Sequence, residues 1–217
     1  MQGLFSTISV FNQSRSIKEL QLAHESTMLA LGTSAPGFTL SNTNRSFGNS
    51  LVSLEDVSEN EALLVAFICN HCPYVVHLKQ HFAEFAKEFQ NQGLSVVAIS
   101  ANDADGYPQD GPDAMAADCE KYAYSFPYLY DEDQHVAKAY GAACTPDFYL
   151  FDKSLSLVYR GQYDASRPGS AMPVSGADVR SAVDAVLAGQ TVNPNQITSM
   201  GCSIKWKAGQ EPEYYFS

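Results

Sequence analysis

Basic charge is scarce in this sequence. Lysine and arginine together number 13 against 24 aspartates and glutamates, which leaves a net charge of −11 at pH 7. No run of basic residues occurs along the chain. Since a surface that binds phosphates needs concentrated lysine and arginine, we expect no nucleic-acid partner.

Long apolar runs are missing as well. No stretch approaches the ~18 apolar residues that a membrane span needs. Residues 1–20 lack a basic region followed by a continuous apolar stretch, which argues against a signal peptide. We therefore expect a soluble, cytoplasmic protein without a membrane partner. Hydrophobic residues still make up 45% of the 217 positions, enough to bury a core.

Cysteines are few, with five in the whole chain. This number is too small for a disulfide scaffold in a chain of this length, and a reducing compartment keeps most thiols free. Two of the five, Cys69 and Cys72, form a C-x-x-C pair. A close pair in a cytoplasmic protein indicates metal or redox chemistry.

The periodicity of the sequence divides it into three parts. Residues 1–30 have mixed polarity and predict an extension, with a short helix around Ser16–Leu22. Residues 31–189 carry regular strand and helix patterns and predict the folded domain. Residues 190–217 are rich in Asn, Pro and Tyr and predict a tail. Docking of this tail over the cysteine site through Cys202, Lys205 and Trp206 is favoured, because a tryptophan tends to be buried. A disordered end or an oligomer contact is the alternative.

The clearest pattern is a strand, a helix and a second strand. The apolar run "ALLVAFI", residues 62–68, predicts a strand covered on both faces. Pro73 is favoured in a first helical turn. After it, apolar residues recur at steps of three and four: Val75, Leu78, Phe82, Phe85 and Phe89. Gly93 caps this helix, and residues 94–100 predict the second strand, which makes a parallel βαβ unit.

The remaining patterns extend this unit. Short strands are predicted at Phe38–Leu40, 51–57 and 126–131, helices at 111–125, 132–141 and 175–189, and an antiparallel hairpin at 147–163. Ser175 is the predicted N-cap of the last helix. A parallel unit followed by a hairpin and a helix predicts an α/β fold, with a mixed central β-sheet and helices on both faces.

Cys72 lies between the end of the first predicted strand and the start of the helix. A helix N-terminus carries partial positive charge and unpaired amide donors, so a thiolate there is stabilised and the pKa of the thiol falls. A protonated His71 would lower this pKa further. Cys72 is therefore the better nucleophile of the pair. Cys69 is a candidate resolving thiol, or alternatively a small buried residue that only packs.

A metal site is the alternative use of the same cysteines. Cys69 and Cys72, together with His77 and His81, would supply four ligands. Only four residues separate the two pairs, far fewer than the ~12 of a zinc finger. We therefore expect no metal and no other cofactor, and interpret the two histidines as flanking or surface residues of the helix.

A second cysteine segment, "YGAACTPDFYLF", precedes the hairpin. Cys144 lies two residues before Pro146, and the Thr145–Pro146 bond is a candidate cis peptide. Functional loops gather at one edge of a parallel sheet, which would bring Cys144 close to Cys72.

These segments resemble a known group of proteins. "FICNHCPYV", "YGAACTPDFYLFD" and "LVYRGQYD" are similar to the thioredoxin-fold redoxins, which include the alkyl hydroperoxide reductase/thiol-specific antioxidant (AhpC/TSA) family. The resemblance covers residues 31–189 and implies a thioredoxin-like, peroxiredoxin-like fold. The tail "GCSIKWKAGQEPEY" resembles the ending of a bacterial subfamily with "CNHCP".

The resemblance also assigns positions. In thioredoxins a sheet Phe precedes the attacking Cys by five residues, and Phe67 precedes Cys72 by five. Cys72 and Pro73 match the Cys-Pro of peroxiredoxins, and Pro146 matches the cis-Pro that faces the site.

The sequence departs from these patterns at several positions. Ala66 replaces the buried Asp of thioredoxins, and Cys69 and Val65 replace the hydroxyl residue and the Pro of peroxiredoxins. The peroxide-activating Arg has no clear match, since Arg160 and Arg167 are not at its position.

Together the resemblance and the residues predict a thiol–disulfide oxidoreductase, an enzyme with antioxidant activity. Cys72 would be the nucleophile and Cys69 the resolving thiol, with Cys144 and Cys202 as other candidates. The groove would be shaped by His71, Pro73, Cys144, Thr145 and Pro146, and the Thr145 backbone could pair with an extended peptide. The partners would be a protein or low-molecular-weight thiol or disulfide and a thiol reductant. A peroxidase of hydroperoxides and a non-catalytic metal- or partner-binding module are the alternatives.

Overall fold

The computed structural model describes residues 23–216, so the helix predicted around Ser16–Leu22 lies outside the described part of the chain. The strands are β1 (Ala23–Glu25), β2 (Thr39–Asn42), β3 (Leu51–Ser53), β4 (Ala62–Phe67), β5 (Leu94–Ser100), β6 (Tyr128–Tyr130), β7 (Cys144–Thr145), β8 (Asp147–Asp152), β9 (Leu157–Gly161) and β10 (Met200–Ser203). The helices are α1 (Leu54–Val57), α2 (Pro73–Gln90), α3 (Pro112–Tyr122), α4 (His135–Ala139) and α5 (Ala177–Leu187). Short 3-10 turns lie at Arg45–Phe47, Pro108–Asp110 and Glu213–Phe216.

Seven strands form one mixed sheet in the order β3-β2-β6-β5-β4-β8-β9. The central strand β4 pairs in parallel with β5 and antiparallel with β8. Strands β8 and β9 form an antiparallel hairpin. The predicted βαβ unit, the hairpin and the mixed sheet are therefore confirmed.

Helices cover both faces of this sheet, as predicted. Residues 62, 64 and 66 of β4 pack in one core with α2, α3 and α5. Residues 63, 65 and 67 point to the opposite face and pack with α1 and α4. Because side chains alternate along a strand, a run that is apolar at every position must be buried on both sides.

The start of α2 follows from its sequence. Cys72 is the N-cap, with extended backbone angles of φ −60° and ψ 124°, and Pro73 is the first helical residue. A proline fits there because its missing N–H would have no helical partner. The N–H of Val76 donates to the carbonyl of Cys72 at 2.9 Å, which closes the first turn. The sulfur of Cys72 is thus held at the end of an 18-residue helix.

Two local predictions are wrong. Residues 51–57 are a strand only up to Ser53, because Ser53 and Asp56 form a capping box that starts α1. The N-cap of α5 is Gly176, with φ 62°, rather than Ser175. Ser175 lies one residue earlier, where its backbone N–H donates to Asp164 at 2.7 Å.

A second sheet joins the two ends of the described chain. Its three strands have the order β1-β10-β7, and β10 is antiparallel to both neighbours. Strand β1 belongs to the predicted extension and β10 to the predicted tail. Ile204 and Trp206 are buried, so the tail docks on the domain as expected. The proposed boundaries after residues 30 and 189 remain predictions. Within residues 23–216, none of the helices has the length and apolar character that a membrane crossing requires.

The core on the α2 side predicts one large mutational effect. Phe82 is fully buried and contacts four aromatic rings: Phe85, Phe126, Phe148 and Tyr163. We expect Phe82→Ala to lower the free energy of unfolding by about 3–5 kcal/mol, because the truncation leaves a cavity. Val76→Ala on the exposed side of the same helix should change it by less than about 0.5 kcal/mol. Urea unfolding of both variants measures the two values, and equal effects would contradict this packing.

Candidate active site at a cluster of cysteines

The sulfur of Cys72 lies between the start of α2 and strand β7. The Cys72 side chain is fully buried, and its Sγ donates to the carbonyl oxygen of Thr145 at 3.2 Å. The Sγ of Cys69 lies 3.3 Å from the hydroxyl oxygen of the same threonine. The peptide bond between Thr145 and Pro146 is cis, as the resemblance implies. Both cysteines of the C-x-x-C pair therefore contact one residue beside Pro146.

A third cysteine comes to the same place from the tail. Cys202 of β10 lies opposite Thr145 in the antiparallel register. Cys202 is half-buried, whereas Cys69 and Cys72 are buried almost completely. All five cysteines of the chain are free thiols. The predicted proximity of the tail to the site is therefore present, and Cys202 is the tail residue paired with Thr145.

Hydrogen-bond donors surround the Cys72 sulfur. The thiol of Cys202 and, next, that of Cys69 hold the pKa of Cys72 well below its usual value of 9.0. Burial opposes this shift, while the backbone N–H groups of Val75 and Cys202 reinforce it. The Val75 amide is one of the unpaired donors at the helix start. The lowered pKa that the helix-start position predicts for Cys72 thus has the same direction as the shift caused by its surroundings.

The neighbouring thiols are shifted the other way. Burial raises the pKa of Cys69, and the negative charge of Asp110 adds to the effect. Hydrogen bonding to Cys72, followed by burial, raises the pKa of Cys202. Burial also raises the pKa of Cys144. Cys72 therefore ionises easily, whereas the neighbouring thiols keep their protons. This combination is expected of a nucleophilic cysteine with other thiols as its reaction partners.

The turn between Cys69 and Cys72 is fixed by a buried carboxylate. Asp110 is fully buried and accepts hydrogen bonds from the backbone N–H groups of Asn70 at 2.8 Å and His71 at 3.2 Å. The His71 ring nitrogen Nδ1 lies 2.5 Å from the same carboxylate, and Asn102 donates to it at 2.8 Å. Because a buried charge is costly without partners, these four contacts are what keep the carboxylate ionised.

The same network reaches the tail. Asn102 accepts the backbone N–H of Lys205 at 2.9 Å. Lys79, a buried residue of α2, donates to the carbonyl of Asn70 at 2.8 Å and pairs with Asp118. The cysteine turn and the tail are therefore connected through Asp110 and Asn102 by hydrogen bonds.

Sequence reasoning missed Asp110 and Asn102. Both follow β5, which neighbours β4 in the sheet, and the loops after adjacent parallel strands meet at one edge. That position was the available signal for a functional role. The place of Cys202 had no such local signal, because its partner Thr145 is distant in sequence.

The other predicted groove residues are distributed around the cluster. Cys144 is buried, with its Sγ 3.9 Å from the carbonyl of Pro146. Pro73 is exposed at the first turn of α2. His71 is partly exposed, and its ring stacks on Tyr107 with centroids 5.9 Å apart. A narrow cleft runs beside Pro146, lined in part by Tyr74, His77, Arg167, Ser199 and Met200.

A protein-family model identifies the family of this chain. Residues 31–160 match the model of the AhpC/TSA family. The chain belongs to the AhpC/TSA family. Proteins of this family are in general oxidoreductases. No curated protein matches this AhpC/TSA protein by sequence.

Solved structures extend the match to most of the chain. An uncharacterized conserved protein from Geobacillus kaustophilus is 50% identical, with a TM-score of 0.83, over 87% of this chain and 98% of its own. A hypothetical protein from Sinorhizobium meliloti 1021 is 49% identical, with a TM-score of 0.82, over 85% of this chain and 99% of its own. The "CNHCP" subfamily remains a prediction.

More distant structures share the fold alone. A putative thiol:disulfide interchange protein DsbE from Chlorobium tepidum is 19% identical, with a TM-score of 0.54, over 73% of this chain and 99% of its own. The peroxidoxin BcpB from Mycobacterium tuberculosis is 18% identical, with a TM-score of 0.53, over 76% of this chain and 98% of its own. These likenesses confirm the predicted thioredoxin-like fold of the AhpC/TSA protein.

The four-ligand metal set is not assembled in the described part of the AhpC/TSA protein. His77 contacts the hydroxyl of Ser166 at 3.1 Å, and His81 contacts that of Tyr163 at 2.8 Å. Among residues 23–216, one group of three side chains has ligand atoms close enough to hold an ion: Cys69, His71 and Asp110, all within 4.8 Å of one another. This set differs from the predicted one. Its members already have hydrogen-bond partners within the protein.

The carboxylate of Asp110 predicts a pH-dependent contribution to stability. Burial alone would raise its pKa, but hydrogen bonds from His71 and Asn102 lower it below the ordinary value of 3.8. The ionised group therefore stabilises the fold at neutral pH, and this contribution is lost as the pH falls below about 4. We expect Asp110→Asn to lower the free energy of unfolding by about 1–3 kcal/mol at pH 7 and by less at pH 3.

Urea unfolding at the two pH values measures this difference. Asp105→Asn, at an exposed position of the same loop, is the control and should change little at either pH. An equal loss for Asp110→Asn at pH 3 and pH 7 would show that the charge is not what stabilises the turn.

Proposed function

We propose that this AhpC/TSA protein is a thiol–disulfide oxidoreductase with Cys72 as the attacking sulfur. The observation that carries the proposal is the place of that sulfur: Cys72 is the N-cap of α2, and its Sγ lies 3.2 Å from the carbonyl oxygen of Thr145, next to the cis peptide bond of Pro146. Hydrogen bonding from the thiols of Cys202 and Cys69 holds the pKa of Cys72 low, although burial alone would raise it. The thiolate is the reactive form in thiol–disulfide exchange.

The reaction proceeds by two displacements. The Cys72 thiolate attacks one sulfur of a disulfide, forms a mixed disulfide with it and releases the other sulfur as a thiolate. A second thiol of the chain then attacks Cys72, which releases the second half of the substrate and leaves a disulfide in the protein. The substrate gains two electrons and the protein loses two. A thiol reductant restores the dithiol.

Cys69 and Cys202 are the candidates for the second thiol. Cys69 belongs to the same C-x-x-C turn, and both thiols lower the pKa of Cys72 through hydrogen bonding. Cys144 is less suited, because its Sγ faces the carbonyl of Pro146.

The surroundings of Cys72 support the proposed groove. The carbonyl of Thr145 lies directly against the sulfur, and Pro146 follows it after a cis peptide bond. His71 and Pro73 are the chain neighbours of Cys72 at the start of α2. We propose that a thiol or disulfide substrate and a thiol reductant meet the site there, with no nucleic acid, membrane or cofactor involved. Five free thiols agree with a reducing compartment, the cytoplasm.

Cys72 is expected to be necessary for the first displacement. Cys72→Ser should abolish the release of glutathione when the reduced protein meets oxidised glutathione, whereas Cys119→Ser, in the core beneath α3, should retain it. The wild-type rate should stay nearly constant from pH 8 to pH 6, because the Cys72 pKa is lowered. For a thiol of ordinary pKa, the fraction present as thiolate would fall about tenfold for each unit by which the pH decreases. A rate that survives Cys72→Ser would contradict the assignment.

A peroxidase is the second candidate function. Its favouring observation is the complete burial of the Cys72 sulfur, which a small oxidant reaches more easily than a protein disulfide does. The thiolate would take one oxygen from a hydroperoxide, become a sulfenic acid and condense with a neighbouring thiol, with loss of water.

The arginines weigh against peroxidase activity. The Arg160 guanidinium donates to the carbonyl of Leu29 and to Gln196, and that of Arg167 donates to Asp164, Ser166 and Gln162. Both are therefore engaged in holding the chain, and the hydroxyl of the peroxiredoxin pattern is replaced by Cys69.

The two functions separate in one measurement. We expect slow consumption of hydrogen peroxide with a thiol donor, and faster reduction of oxidised glutathione by the same protein. Thiol-dependent peroxide turnover that exceeds the disulfide reaction and vanishes in Cys72→Ser would reverse this ranking.

A further inference from the structure

The backbone edge beside Cys72 is already paired. Thr145 lies opposite Cys202 in antiparallel register, and the neighbouring pair is Cys144 with Ser203. An extended peptide that used the main chain of Thr145 would need the same edge. Strand β10 therefore occupies the position in which a peptide substrate would present its sulfur to Cys72.

A glycine permits this approach. A Cβ atom at Gly201 would lie 2.0 Å from the carbonyl oxygen of Thr145 and 2.6 Å from its carbonyl carbon. Backbone atoms on both strands cannot shift independently, so any side chain at this position would push β10 away from β7. Gly201 packs against Thr145, the residue whose carbonyl contacts the Cys72 sulfur, and only a glycine fits at this position.

The rest of the tail is anchored around Cys202. The N–H of Ile204 donates to the carbonyl of Ala143 at 3.0 Å, and that of Lys205 donates to Asn102 at 2.9 Å. On its other side, β10 pairs with β1, where Cys202 lies opposite Ala23. The Cys202 side chain is therefore held in place, yet it remains half-exposed.

Cys69 is placed differently. Its side chain is almost completely buried and bonds to the Thr145 hydroxyl, and the buried carboxylate of Asp110 lies near it. A negative charge opposes the thiolate that the second displacement requires. The pKa of Cys202 is raised first by hydrogen bonding to the Cys72 sulfur and then by burial, while Lys205 lowers it. The first effect ends once Cys72 has become a mixed disulfide. The greater exposure of Cys202 therefore makes it the better attacking thiol.

We propose that Cys202 is the resolving thiol and that β10 is a built-in substrate strand, an inference that rests on Cys72 being the attacking sulfur. After a disulfide has reacted, Cys72 carries half of it as a mixed disulfide. The sulfur of Cys202 attacks Cys72, the Cys72–Cys202 bond forms, and the substrate half leaves as a thiol with the proton of Cys202. The substrate class is a low-molecular-weight disulfide, because a protein strand would have to displace β10.

The experiment maps the products of one reaction. The reduced full-length chain is mixed with one equivalent of oxidised glutathione, free thiols are alkylated, and the peptides are identified by mass spectrometry. We expect a Cys72–Cys202 linkage in the wild type. Cys202→Ser should lose this linkage and accumulate glutathione on Cys72, since a serine hydroxyl keeps a donor beside the sulfur but does not resolve. Cys69→Ser should still form the Cys72–Cys202 linkage.

The outcomes distinguish this inference from the proposed function. A Cys72–Cys69 linkage in the wild type, or accumulation of the mixed disulfide in Cys69→Ser and not in Cys202→Ser, overturns the role of Cys202 and leaves Cys72 as the nucleophile. Absence of both glutathione and any linkage on Cys72 in all three proteins overturns the proposed function and this inference with it.

A glycine pair tests the strand itself. Gly201→Ala should displace β10, reduce the Cys72–Cys202 linkage and increase the rate at which a protein disulfide reacts with Cys72. Gly37→Ala is the matched control, because a Cβ there meets no atom within 4 Å. Unchanged linkage and an unchanged rate in Gly201→Ala, with folding confirmed by circular dichroism, would refute the built-in strand.

Discussion

The backbone and side chain of Thr145 are the features on which the arrangement of the site depends. Its carbonyl accepts the thiol of Cys72, its hydroxyl contacts Cys69, and its main chain pairs with the strand that carries Cys202. Three segments that are far apart in the sequence meet at this residue: the turn before α2, strand β7 and the tail. No single segment positions a pair of thiols by itself.

The electrostatics of the site combine opposing effects. The Thr145 carbonyl favours the protonated form of Cys72, because it can only accept a hydrogen bond. Hydrogen bonding from two thiols and two amides lowers the pKa of Cys72, and together these groups outweigh burial. Asp110 adds a negative charge on the side of Cys69. The same carboxylate therefore fixes the turn between the two cysteines and makes them chemically unequal.

Local sequence patterns predicted the central unit of the fold and the more acidic of the two cysteines. An unbroken apolar run, Pro73 and one apolar helix face are properties of neighbouring residues, and they suffice to place Cys72 at a helix start. Strand β10 has no comparable pattern, because four residues including Gly201 show neither periodicity nor strong strand preference. Its pairing depends on Thr145, about 57 residues away, and such long-range contacts are not readable from one segment. Asp110 follows β5, which is a local signal, but its contacts with the backbone of Asn70 and His71 span 40 and 39 residues and could not be read from one segment.

The docked tail changes what the C-x-x-C motif means in this protein. In an open groove, Cys69, the other cysteine of the motif, would be the natural partner of Cys72, and a peptide would bind along the free edge beside Pro146. Here the edge is occupied by the chain's own strand, and each backbone hydrogen bond that a peptide would gain must first be lost by β10. The net gain from docking a peptide is therefore small, whereas a small disulfide does not depend on these backbone hydrogen bonds for its binding. Size selection follows from this competition rather than from a dedicated pocket.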